Sequence, residues 1–123
     1  MKVGSFEVVR VYDDPGRTSE EYRILADRLW PRGIAKVTLD FDEWVKDVAP
    51  STELRRWYGH DPGRYEEFAM RYRRELSVQP AANEVQRLRN IAASKKLVVL
   101  TATRDVDISG ARVLCDVLVS SEG

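Results

Sequence analysis

The segment Glu21 to Trp30, EYRILADRLW, decides the fold, and it reads two ways. Tyr22, Leu25, Ala26 and Leu29 fit the apolar stripe of a helix, whereas Ile24, Leu25 and Ala26 in a row fit a buried strand. Pro31 and Gly33 stop the segment abruptly, which favours the strand. A strand here delivers Asp27, Arg28, Trp30 and Arg32 to its carboxyl end. A continuous helix would scatter them.

Working outward, Phe6 to Tyr12 (FEVVRVY) is rich in β-branched and aromatic residues and predicts a strand, broken by Asp13-Asp14-Pro15-Gly16. Downstream, Asp40 to Val48 predicts a helix. Asp40 would cap it, Glu43 takes the capping-box position, and Phe41, Trp44, Val45 and Val48 form one stripe. Ser51 predicts the cap of a short helix, Thr52 to Tyr58, closed by Gly59. Asp61-Pro62 opens the next helix, with Tyr65, Phe68, Ala69, Tyr72 and Leu76 inward. Pro80 begins another, with Val85, Leu88 and Ala92 inward, and Lys95 and Lys96 suit its terminal dipole. Leu97 to Ala102 (LVVLTA) is the strongest strand signal, a short apolar run of the kind covered on both faces. Ser109 caps a last helix carrying Val113, Leu114, Val117 and Leu118. A long helical crossover between strands predicts an α/β fold: a small, largely parallel β-sheet with helices packed on it, Rossmann-like, in a single domain over residues 1–123.

Composition limits the chemistry. Twenty basic residues balance twenty acidic ones, so bulk attraction to nucleic acid or an acidic membrane is not expected. Arginine outnumbers lysine 15 to 5. Genome-wide codon usage is the plainer account, although guanidinium groups also suit bidentate anion recognition. Cys115 is the sole cysteine and His60 the sole histidine. Internal disulfides, cysteine-based zinc clusters and histidine-rich metal sites are therefore excluded within one chain. The first residues lack the apolar run of a signal peptide, and no apolar run approaches a membrane span, so a cytoplasmic protein without a membrane partner is expected. Walker loops, dinucleotide glycine fingerprints, zinc-protease helices and serine-hydrolase elbows are missing, and no cofactor is expected.

In open α/β sheets ligands bind beyond the carboxyl ends of the strands. Two segments meet that rule, Asp27 to Gly33 and Thr101 to Asp105. If their strands are parallel neighbours, Arg28, Arg32, Thr103 and Arg104 converge on an anion site, to which Ser109 at a helix start would add backbone donors. The competing account pairs Asp27 with Arg28 structurally and buries Trp30. Trp57 and Tyr58 could form a stacking platform but more often such aromatics are core. His60 beside Asp61 lacks a nucleophilic partner and reads as an exposed turn residue. Cys115 reads as a packed thiol.

The strings Arg10-Val11-Tyr12 and Arg23 to Gly33 (RILADRLWPRG) resemble the YeaO-like family of uncharacterised bacterial proteins. Trp44 to Ser51 (WVKDVAPS), Leu54 to Tyr58 (LRRWY), Phe68, Tyr72 and Glu75-Leu76 continue the resemblance, which spans about residues 6 to 118. It implies a compact α/β fold. It also implies a signature of Asp27, Arg28, Trp30, Pro31, Arg32 and Gly33, with Lys46, Ser51 and Arg55. The family carries no established activity. Relatives tend to place asparagine and histidine at the start of the last helix, and more distant ones cysteine and histidine; here the stretch reads Asp107-Ile108-Ser109-Gly110-Ala111. If that histidine does chemistry in relatives, this protein binds without catalysing.

Two functions of different class follow. One is a small enzyme or binding protein for a phosphate- or carboxylate-bearing ligand, with Arg28 and Arg32 as anchors and Asp27 as acid or base. The other is a nucleic-acid or protein-binding module that uses surface arginines with Trp57 or Tyr58. Clustering of Arg28, Arg32 and Arg55 in one concavity favours the first; a flat exposed stripe favours the second.

Overall fold

The structure is a computed structural model that describes residues 5–18 and 20–120. Four parallel strands form one sheet: β1 (Phe6–Arg10), β2 (Glu21–Leu25), β3 (Glu43–Trp44) and β4 (Lys96–Thr101), in the order β1-β4-β2-β3. Four helices follow the order of the sequence: α1 (Thr52–Tyr58), α2 (Tyr65–Leu76), α3 (Ala81–Ala92) and α4 (Gly110–Ser120). The α/β fold expected from the sequence is present.

The segment Glu21 to Trp30 is a strand that ends at Leu25, and it lies directly beside β4, with Ile24 opposite Val99 and Leu25 opposite Leu100. Because side chains alternate along a strand, the sheet builds two cores. Ile24, Leu97 and Val99 face the helices, where Leu54, Phe68, Tyr72, Leu88 and Leu114 are buried. Leu25, Val98 and Leu100 face the other way, against Leu39, Trp30, Ile34 and Phe41. All four helices therefore cover one face, and the irregular segment after Asp27 covers the other.

That second cover corrects one expectation. Asp40 to Val48 is not a helix: Glu43–Trp44 is an edge strand, and Lys46–Val48 is a single 3-10 turn. The apolar stripe is real but divided. Phe41 and Trp44 pack in the loop-side core, while Val45 and Val48 are buried in the helix-side core. Tertiary bonds claim the backbone that a helix would need. Asp42 N donates to Arg23 O (2.7 Å) and Val45 N donates to Leu25 O (2.9 Å). The Asp40 side chain does not cap a helix; it pairs with Arg17 at 2.8 Å. Arg23, only 1% exposed, explains the anchoring. Its guanidinium pairs with Asp14 and with Glu21 (2.9 Å), and its Nε donates to the carbonyl of Asp40 (2.6 Å). A buried charge persists only when so partnered.

The strand expected over Phe6 to Tyr12 ends at Arg10, and Val11–Asp13 forms a 3-10 turn; the other local signals hold. Ser51 Oγ accepts from Leu54 N (3.1 Å) to start α1, and Gly59 closes it in the left-handed region at φ 53°. Ser109 Oγ accepts from Arg112 N (3.0 Å) at the start of α4. Among the described residues, no helix is long and apolar enough to cross a membrane.

Candidate functional site

The carboxyl ends of β1, β2 and β4 lie side by side, and a cleft of about 750 Å³ opens over them. Asp27 forms its floor. One carboxylate oxygen accepts from the Thr101 hydroxyl (2.8 Å) and the other from Ala102 N (2.7 Å). Asp27 thus ties the end of β2 to the end of β4. Burial raises its pKa above the ordinary carboxylate value, opposed by the two hydrogen bonds and by the nearby charges of Arg55 and His60.

Arg28 does not pair with Asp27. Its Nε donates to Pro50 O (2.9 Å) and its Nη2 to Ala49 O (3.3 Å). These bonds fix the guanidinium at the cleft and leave it without a carboxylate. Trp30 is a wall: its indole N–H donates to Ile34 O (2.5 Å), and its ring lies 5.5 Å from Phe41 and 5.4 Å from Trp44. Arg32 is exposed at the rim, with its carbonyl accepting from the Tyr12 hydroxyl (2.6 Å). Gly33 turns the chain at φ 82°, a conformation open to glycine. Thr103 and Arg104 enter from β4, the threonine held by its N–H on the Thr101 hydroxyl (3.2 Å).

Helix α1 contributes Arg55 and Arg56, and Tyr58 behind them. Tyr58 stacks on Phe68 at 4.1 Å and donates its hydroxyl to Ile108 O (2.6 Å). This joins α1 to the segment before α4 and shapes the far wall; burial pushes the Tyr58 hydroxyl up to about 12. The start of α4, Ser109 to Ala111, opens on the same cleft, and the N-terminal end of a helix favours anions.

Of the residues singled out from the sequence, Asp27, Arg28, Trp30, Arg32, Arg55, Thr103 and Arg104 line this one cleft. Gly33 adjoins it. Lys46 and Ser51 do not line it. The Lys46 ammonium sits 4.1 Å over the Trp44 ring, and Ser51 caps α1 while donating to Glu75 (2.6 Å). Tyr12, Arg56, His60 and Asp105 line the cleft without having been singled out as binding residues. Tyr12 was legible: the FEVVRVY run ends on it, and it sits just past β1, where the rule about carboxyl ends applies as it does to Asp27 and Thr103. Arg56 and His60 carried no such signal, because their position depends on how α1 docks.

Charge concentrates here. Arg28, Arg32, Arg55, Arg56 and Arg104 all line the cleft, and none makes an ion pair among the described residues. The acidic residues of the lining are Asp27 and Asp105. No cluster of metal-ligating side chains occurs among the described residues.

These features define a small parallel α/β protein with an arginine-lined cleft at the strand ends. The chain belongs to the inactive DUF488-N3 subclade, whose family model matches residues 5–122. It is 45% identical over 111 residues to the uncharacterized protein Rv3073c of Mycobacterium tuberculosis, covering 90% of this chain and 91% of the relative. It is 43% identical over 111 residues to the uncharacterized protein YeaO of Escherichia coli, covering 90% and 94%. The resemblance to YeaO-like proteins therefore extends along most of both chains. No solved structure matches.

Proposed function

We propose that the cleft binds a small anionic ligand bearing a phosphate or carboxylate group. The observation that carries this reading is five arginines around one concavity with no carboxylate partner among the described residues. Unpaired guanidinium groups beside a helix start attract and orient such anions. Arg28, held by two carbonyls, is the proposed fixed anchor; Arg32, Arg55 and Arg104 are the groups that close on the ligand. Trp30 and Gly33 shape the wall, Thr103 offers a hydroxyl, and Lys46 and Ser51 act at a distance by holding Trp44 and α1. Asp27 is the proposed acid or base of any reaction here. The description of the subclade as inactive supports binding as the main role.

The competing reading, a nucleic-acid or protein surface built on arginines with Trp57 or Tyr58, draws less support, because Tyr58 is buried at 4% exposure. The Trp57 ring already carries its own cations, Arg71 at 4.5 Å and Arg64 at 5.2 Å. The test is an amide NMR titration with inorganic phosphate. Shifts confined to Asp27–Gly33, Arg55–Arg56 and Thr103–Ala111, and weakened in Arg104→Met, are expected. A titration at millimolar phosphate that moves no resonance in any of these segments would overturn the proposal.

A further inference from the structure

The cleft is far larger than a phosphate, and its shape is uneven. Asp27, Arg28, Arg32 and Arg104 follow the ends of β2 and β4, and α1 brings Arg55 and Arg56. Tyr12 lines the same cleft from the 3-10 turn Val11–Asp13 that follows β1. Neighbouring strands lie roughly 4.8 Å apart, so the β1 and β2 ends are separated by about 10 Å. The Tyr12 side chain reaches from the β1 side to the Arg32 carbonyl, and a bare inorganic anion would fill only a small part of the cleft of about 750 Å³.

Tyr12, on the lining, is 43% exposed, and Leu29, also on the lining, is 61% exposed. The ring is not loose. Its hydroxyl donates to Arg32 O (2.6 Å), and the Arg10 guanidinium lies 4.7 Å from its centroid. One face is thus covered by a cation from its own strand. The ring is held edge and face, so stacking a second ring on the open face orders nothing new. An aromatic side chain fixed in advance and left partly exposed is suited to a planar ligand, because stacking then costs little conformational entropy.

We propose that the ligand is an anion joined to a planar ring, of the nucleoside monophosphate class, with its ring on Tyr12 and its phosphate among Arg28, Arg32, Arg55 and Arg104. This rests on the anion-binding reading above and adds the chemical class. The sugar of such a ligand spans the β4 end, over Ala102 and Thr103.

The experiment separates the two readings by comparing adenosine 5′-monophosphate with ribose 5-phosphate, measured by isothermal titration calorimetry. Both carry the same phosphate ester; only one carries a ring. The nucleotide is expected to bind about tenfold more tightly, the scale of one stacked base. Tyr12→Ala should remove that advantage and leave the affinity for ribose 5-phosphate unchanged. Tyr12→Phe, which keeps the ring and loses only the bond to Arg32 O, should retain most of it and guards against a folding defect. Equal affinities in the unaltered protein would overturn the ring subsite while the anion reading stands. A nucleotide advantage that survives Tyr12→Ala would overturn the assignment to Tyr12. Binding of neither compound would overturn both proposals.

Discussion

Arg28 and Arg32 are four residues apart and look alike in the sequence, but their environments separate them. Arg28 donates to two carbonyls and is half-buried, whereas Arg32 is exposed and uses only its carbonyl within the protein. Arg28→Lys loses a planar fork that lysine cannot reproduce. We expect it to lower stability by about 1.5–3 kcal/mol, the range for hydrogen bonds involving a charged group. Arg32→Lys should leave stability within about 0.5 kcal/mol and weaken phosphate-ester binding by about 1–3 kcal/mol. Urea melts and calorimetric titration check the two variants separately. Equal stability losses would mean that the guanidinium of Arg32 is also structural. At this scale the sequence was legible where a residue's position at the cleft follows from its place after a strand, as for Asp27, Arg28 and Thr103. The resemblance pointed to Lys46 as a site residue, but its ammonium rests on Trp44 outside the cleft lining; nothing local says where the turn after β3 points it.

Elements set by local signals were legible, and the one set by distant partners was not. Helix α1 announces itself through Ser51 and Gly59, and α2 through its apolar spacing. In α2, Phe68 and Tyr72 are buried at 2% and 1%, while Tyr65 is only half-buried. Phe68 stacks on Tyr58 and lines the cleft, so it joins the core to the site. Phe68→Ala should cost about 3–5 kcal/mol, the usual range for a buried phenylalanine. Chemical denaturation reads this directly; a loss below about 1 kcal/mol would mean the cavity collapses or the ring is not packed. Ser51→Ala removes both the cap of α1 and the bond to Glu75, and should cost about 1–2 kcal/mol. The segment Asp40–Val48 shows why local reading fails. Its spacing satisfies a helix, yet Arg23, seventeen residues before the start of that stripe's cap, takes the Asp40 carbonyl and the Asp42 carboxylate. A tertiary bond to a buried arginine outweighs a propensity worth a few tenths of a kcal/mol per residue.

For the whole molecule, acid stability depends on carboxylates held in opposite senses. Glu21, Asp40 and Glu43 titrate below their ordinary values, chiefly through hydrogen bonds from Thr18, Arg17 and Arg87 respectively. Each contributes stability above its unfolded value, 4.5 for glutamate and 3.8 for aspartate, and that stability is lost as the pH falls through the lower folded value. Asp27 runs the other way. Burial raises its folded pKa above 3.8, so the folded state binds its proton first. Its contribution is full below 3.8 and is lost as the pH rises through the raised value. On acidification from neutrality, Asp27 protonates before the other three, and stability should rise slightly before it falls. Asp27→Asn removes the early rise, and Glu43→Gln makes the later fall shallower. Thermal melts at closely spaced pH values between about 3 and 7 would follow both. A melting temperature that only falls with acid, with the same profile in Asp27→Asn, would show that the floor of the cleft is solvated. An aspartate hydrated in that way would also lose its standing as the acid or base of the site.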